Sequence, residues 1–280
     1  MAIVYLNGEF IAAEQAKISV FDRGFLFADS VYELIPVIDG QGLQMEEHLQ
    51  RLQRSLSELD IRAEANWQWI CTELAARNGG GNQSIYLQVS RGADSRRRAD
   101  WPVDIRPTIF ACAQPISRPL ALPPEQTQGI KLVVQEDLRW GRCDIKSTML
   151  LPNVMARQAA KRAQAEEALL VKQGRVIEGA SSSIFMVQHG QLITPPLDQE
   201  RLPGTTRALV LRLAAQANIN LQEREFTLAE LLQAEEVWIS SSSRGVLPVV
   251  QIDQHVIADG QPGSLWRQLA ALYQAWAMQE

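Results

Sequence analysis

EALLVKQGRVIEG (residues 167–179), followed closely by SSIFMVQHGQLITP (182–195), is a series of short apolar runs broken at Gly174 and Gly190, the pattern of strands joined by tight turns. Elements on either side extend it. GIKLVVQE (129–136) reads as a strand, LLPNVMARQAAKRAQA (150–165) has helical composition, and VWISSSSRGVLPVV (237–250) reads as a strand entering a polar loop. A helix is predicted from Thr205, where Leu209, Val210, Leu213 and Ala214 make a stripe beyond a Pro-Gly-Thr-Thr start. Toward the N-terminus, IVYLNGEFI (3–11) is a hairpin turning at Asn7-Gly8, and VYELIPVIDGQGLQM (31–45) is a strand pair turning at Asp39-Gly40. Leu49, Leu52, Leu56 and Leu59 place an apolar stripe on one helix, TELAAR (72–77) supports a second, and SIYLQVSRG (84–92) returns to a strand. Strand pairs with interspersed helices predict a mixed α/β (α+β) protein whose two domains face each other across a cleft. Four prolines in PISRPLALPP (115–124) mark the boundary: an N-terminal domain over 1–114, a linker over 115–125 and a C-terminal domain over 126–280.

The chain has 280 residues and a formal net charge of -5, which argues against general affinity for nucleic acid. Its three cysteines, Cys71, Cys112 and Cys143, are far apart and form neither a CxxC nor a metal-ligand spacing, so no metal site is expected and a reducing compartment fits best. The start MAIVYLNGEF lacks a signal peptide's basic and apolar regions, and no apolar run approaches the roughly 18 residues of a membrane helix. A cytoplasmic protein, without membrane partners, is the expectation. His48, His189 and His255 stand in no nucleophile or metal pattern, and neither GxGxxG nor GxxxxGK[ST] occurs.

Lys146 lies where a strand-like stretch gives way to helix. By itself it reads most simply as a solvated lysine; an amine that spends part of a cycle neutral could instead attack a carbonyl and shuttle a proton. Glu178 ends the strand RVIE before small residues, and is either a solvated hairpin carboxylate or a partner for a pyridine nitrogen. Thr205 and Thr206 open a helix where hydroxyls and free N–H groups could meet a phosphate, or simply cap it. Ser240, Ser241, Ser242 and Ser243 could reach the same anion or form a polar loop. Arg51 sits about 120° from the leucine stripe, a position open to solvent or a cleft.

In order along the chain, FDRGFLFADSVYE, EEHLQRL, VSRG, RWGRCDIKS, VIEGASSSIF, LPGTTR and SSSSRGVLPV resemble the fold type IV pyridoxal-phosphate aminotransferases, with the closest likeness to the bacterial D-amino-acid branch. Seven collinear matches are more specific than any one. The resemblance implies a smaller N-terminal α/β domain, a larger C-terminal pseudo-barrel domain, pyridoxal 5'-phosphate as cofactor, and a homodimer with its active site at the subunit interface. It makes Lys146 the Schiff-base lysine and Glu178 the partner of the ring nitrogen; Arg51, Thr205, Thr206 and Ser242 would hold the phosphate and Leu202 would lie against the ring. Tyr32 would approach the substrate carboxylate from the other subunit. The implied reaction moves an amino group from a D-amino acid to a 2-keto acid such as pyruvate or 2-oxoglutarate by a two-stage cycle; aminodeoxychorismate lyase, branched-chain and (R)-amine transaminase activities share the fold and stay open. The loop ADSRRRADWP (93–102) departs from the branch: an arginine is available at Arg97 or Arg98, but the usual histidine two residues away is missing. Ser30 stands where glycine is usual and Ser183 where asparagine is common.

Overall fold

The four expected hairpin turns share one backbone solution. Asn7-Gly8, Asp39-Gly40, Gln173-Gly174 and His189-Gly190 all have positive φ at both positions, 50° and 106° at the first, as a type I′ turn between right-twisted strands requires. These turns organise two compact units, Met1–Ser117 with Ile145–Met149, and Arg118–Asp144 with Leu150–Glu280. The structure, a computed structural model, describes residues 2–116 and 123–278; most of the expected linker, residues 117–122, lies outside the described residues.

The first unit contains β1 (Ile3–Leu6), β2 (Glu9–Ala12), α1 (Arg23–Phe27), β3 (Ser30–Ile38), β4 (Gln41–Gly42), α2 (Met45–Glu58), α3 (Trp67–Arg77), β5 (Gln83–Ser90) and β6 (Thr108–Pro115). Its strands form one antiparallel sheet in the order β2-β1-β6-β5-β3-β4. Alternate residues of β5, Ile85, Leu87 and Val89, are buried, while α3 buries Ile70, Cys71, Leu74 and Ala75. α2 departs from expectation: its buried face carries His48, Arg51, Leu52, Ser55 and Leu56, and Leu49 is only half-buried. The stripe is rotated toward polar residues because Glu33, buried on β3, supplies their charge partner.

The second unit contains β7 (Ile130–Glu136), α4 (Leu151–Arg162), β8 (Glu167–Lys172), β9 (Arg175–Gly179), β10 (Ser183–Gln188), β11 (Gln191–Thr194), α5 (Thr205–Gln216), β12 (Leu221–Glu223), α6 (Leu228–Leu232), β13 (Glu236–Ser241), β14 (Gly245–Ile252), β15 (His255–Val256) and α7 (Ser264–Ala277). A nine-stranded mixed sheet runs β12-β11-β10-β13-β14-β7-β8-β9, with β15 beside β14, and curls into a half-barrel. Both faces are covered. On β10, Ile184 and Met186 pack with Leu169, Val176 and Phe226, whereas Phe185 and Val187 pack with Leu209, Leu213, Trp266 and Leu269 from α5 and α7. On β8, Ala168 and Leu170 face Ala156 and Ala160 of α4. Burial on both faces explains why these strands read as near-continuous apolar runs. In β9 the pairing passes from Leu170↔Glu178 to Val171↔Val176, and such a bulge re-aims the side chains around it. Among the described residues no helix is long and apolar enough to cross a membrane.

Candidate active site

In the first unit, residues 145–149 are stitched to β3. Val31 and Ser147 form a β-bridge, the Tyr32 N–H donates to the Lys146 carbonyl at 2.9 Å, and the Thr148 N–H donates to the Ser30 carbonyl at 3.0 Å. The Lys146 N–H reaches Ser55 Oγ on α2 at 3.2 Å. Ser30, fully buried, places its hydroxyl against that of Thr148, so the residue that replaces a glycine here gains a polar partner. The Lys146 Nζ then lies 4.3 Å from the centre of the Tyr32 ring, which stacks on Tyr86 at 5.5 Å. The resemblance places Tyr32 on the other subunit; within one chain, the pairing of β3 with the lysine segment already brings Tyr32 beside Lys146.

Arg51 is buried and bidentate to Glu33, with Nε to Oε1 at 2.7 Å and Nη2 to Oε2 at 2.8 Å. His48 Nδ1 shares Oε2 at 2.7 Å. Burial pushes the Glu33 carboxyl upward, but the charge and hydrogen bonds of Arg51 outweigh it and hold the pKa well below the carboxylate range. Burial lowers the His48 pKa against the pull of Glu33, so its ring is neutral near pH 7. Glu33 can only accept, which assigns the proton to Nδ1. In the loop after β5, Arg98 pairs with Asp94 at 2.6 Å, while Arg97 is exposed with its guanidinium 4.8 Å from the centre of the Phe27 ring.

In the second unit, Glu178 is buried at the end of β9. It accepts from Arg139 Nη1 at 2.5 Å and from the Leu202 N–H at 3.3 Å. Arg139 is itself held by Asp137, from Nε at 3.0 Å and Nη2 at 2.9 Å, and donates to the Glu200 carbonyl. Burial raises the Glu178 pKa and Arg139 works against it. Burial likewise opposes the charge on Arg139, but its bond to Asp137 and the field of Glu178 win and raise its pKa. Arg201 fastens the Leu202 segment to β9 through the carbonyls of Ile177 and Val176, at 3.1 and 3.2 Å.

Thr205 and Thr206 open α5, whose N-cap, Gly204, offers no side chain. Ser183 Oγ lies 2.9 Å from where a Cβ on Gly204 would stand, so a side chain there would displace the Ser183 hydroxyl. Thr205 Oγ1 and Ser242 Oγ are 3.2 Å apart. The Thr206 and Ser240 hydroxyls are buried with no hydrogen-bond partner. The Thr206 hydroxyl stands in the first turn of a twelve-residue helix and that of Ser240 on β13; buried orphan hydroxyls are costly unless a ligand takes them up, and one at a helix N-terminus fits a phosphate group. Sequence reasoning missed Arg139 and Glu33, and offered Ser240 only as one of four adjacent serines; Arg139 stands within the RWGRCDIKS motif, but nothing local to the motif ties it to Glu178.

A model of the amino-transferase class IV family matches residues 30–252, and the chain belongs to this family. D-alanine aminotransferase of Staphylococcus epidermidis is 37% identical over 272 residues, covering 96% of this chain and 95% of that protein. The D-alanine aminotransferase of Bacillus licheniformis is 36% identical, covering 97% and 95%. Among solved structures, the Escherichia coli branched-chain amino acid aminotransferase superposes with a TM-score of 0.86 at 23% identity, covering 96% of this chain and 92% of that one. A hypothetical aminotransferase from Mycobacterium tuberculosis, in its PLP-bound form, gives 0.83 at 21%, covering 98% of each chain. At those identities the likeness shows the shared fold, fold type IV, and leaves substrate aside. The protein is an aminotransferase that uses pyridoxal phosphate.

Proposed function

We propose that this enzyme moves the amino group of a D-amino acid, D-alanine foremost, to a 2-keto acid such as 2-oxoglutarate or pyruvate. The observation that carries this is the 35–37% identity, over nearly the whole chain, to proteins named D-alanine aminotransferase. When bound, pyridoxal phosphate supplies an aldehyde that condenses with amines and a ring that draws electrons from the substrate's α-carbon. Lys146 is the lysine that holds it, and its Nζ afterwards takes and returns the α-carbon proton. Glu178, whose carboxyl accepts from Arg139, holds the ring nitrogen in its protonated form. Thr205, Thr206, Ser242 and Arg51 take the phosphate, Ser240 joining them through its orphan hydroxyl, and Leu202 lies against the ring. Tyr32 and the arginine loop take the substrate carboxylate. Arg97 suits that role better than Arg98, whose charge is matched by Asp94.

A homodimer fits the exposed apolar stripe of Leu151, Val154 and Met155 on α4, three and four residues apart. A reducing cytoplasmic setting fits the three free cysteines. The test is a half-reaction without keto acceptor, following loss of the visible absorbance of lysine-bound cofactor. D-Alanine and D-glutamate should remove it; loss with L-leucine or (R)-phenylethylamine alone would overturn the assignment.

A further inference from the structure

We propose that Arg23 is a positioning residue that holds residues 93–102 in the shape that presents Arg97 to the substrate carboxylate; this rests on the reading of that loop given above. Arg23 opens α1 and is only 2% exposed. Its Nη1 donates to the carbonyls of Arg98 at 2.7 Å and Asp100 at 3.2 Å, and its Nη2 donates to that of Ala99 at 3.0 Å. Three successive peptide groups of the loop therefore converge on one guanidinium. Its Nε donates to Asp29 at 2.7 Å. Asp29 is bracketed from the other side by Arg91, through Nε at 2.8 Å and Nη2 at 3.1 Å, and the Arg91 guanidinium lies 4.0 Å from the centre of the Trp101 ring.

The loop backbone is thus held at 98–100 by Arg23, and the Trp101 side chain lies against Arg91. Its near end is held by the Asp94 N–H donating to the Phe21 carbonyl at 3.3 Å. Arg97 lies between these points, its guanidinium 4.8 Å from the centre of the Phe27 ring, the same ring that has Arg23 at 4.9 Å. One planar, five-donor group does all this at once. A lysine ammonium could keep the charge but could not span three carbonyls and a carboxylate. Burying a guanidinium is tolerable here because carbonyl dipoles and Asp29 replace its water.

Arg23→Lys and Arg23→Gln, each loaded with pyridoxal phosphate, test the inference by steady-state kinetics with D-alanine and 2-oxoglutarate. Both substrates carry the carboxylate, so both KM values should rise by at least about 10-fold while kcat stays within about 2-fold, the signature of lost uniform binding. Cofactor retention should not change, and amide hydrogens of residues 94–101 should exchange faster. A KM within about 2-fold of the parent in folded Arg23→Lys overturns the proposal. So does a parallel fall in kcat and cofactor retention, which marks a general structural role. If Arg23→Gln does not fold, Arg23→Lys decides. The double variant Arg97→Ala/Arg98→Ala, assayed alongside, separates the two ideas: unchanged KM there defeats the carboxylate reading of the loop, whereas raised KM there with a normal Arg23→Lys defeats the clamp alone.

Discussion

Replacing Glu33 with glutamine removes one negative charge from the interior of the first unit without removing volume. Glu33 is 0% exposed and accepts three charge-assisted or close hydrogen bonds, two from Arg51 and one from His48. A glutamine can offer its carbonyl to only one side; its NH2 then faces a donor, either an Arg51 nitrogen or the His48 Nδ1–H. Removing one member of a buried ion pair costs about 3–5 kcal/mol, and the hydrogen bond that glutamine retains reduces this to roughly 2–4 kcal/mol. With a urea dependence of about 2–3 kcal/mol/M, the unfolding midpoint of the cofactor-free protein at pH 7 should fall by roughly 1 M. The pH dependence has a definite sign. Because the folded pKa of Glu33 is depressed, its contribution is complete above the unfolded value of about 4.3 and is lost as pH falls toward the folded one. The gap between parent and variant is therefore full at pH 7 and narrows below about pH 4. A midpoint within about 0.3 M of the parent at pH 7, or a gap undiminished at pH 3, would refute this account of how Arg51 is held.

Thr206→Val removes a buried hydroxyl that has no partner, so the cofactor-free protein should unfold at equal or higher urea, by up to about 1 kcal/mol, while the Kd for pyridoxal phosphate rises about 5- to 10-fold; weaker stability with unchanged affinity would count against a phosphate cradle. Arg139→Met removes the main opposition to burial at Glu178, leaving only the Leu202 N–H bond, so the carboxyl stays protonated to higher pH and cofactor binding should weaken at least about 10-fold at pH 6 and less at pH 8; an equal loss at both would show that the charge of Arg139 is immaterial. Lys146→Ala should lose the visible absorbance of lysine-bound cofactor and slow turnover by at least about 1,000-fold, measured on the reconstituted protein.

What the residues disclosed in advance follows the range of the forces involved. Turns at Asn7-Gly8 and Gln173-Gly174 depend on φ at two adjacent positions, and the buried face of α5 depends on the helical repeat alone, so both were legible. α2 was not. Its leucine spacing points to one face, but the buried face includes His48, Arg51 and Ser55, because an ion pair with a residue 18 positions away outweighs the apolar count. The link between Arg139 and Glu178 spans 39 positions and the contact of Lys146 with Tyr32 spans more than 100, distances over which no local pattern speaks.

The arginine loop marks the edge between these regimes. The residues alone leave Arg97 and Arg98 as alternatives, and the pairing of Arg98 with Asp94 in the fold is what turns attention to Arg97. Only the fold adds the buried Arg23 beneath the loop carbonyls, drawn from a segment 75 positions earlier. The presence of an arginine in the loop can thus be read locally, whereas the proposed choice of Arg97 and the geometry that holds the loop depend on residues that the chain's own pattern gives no reason to connect with it.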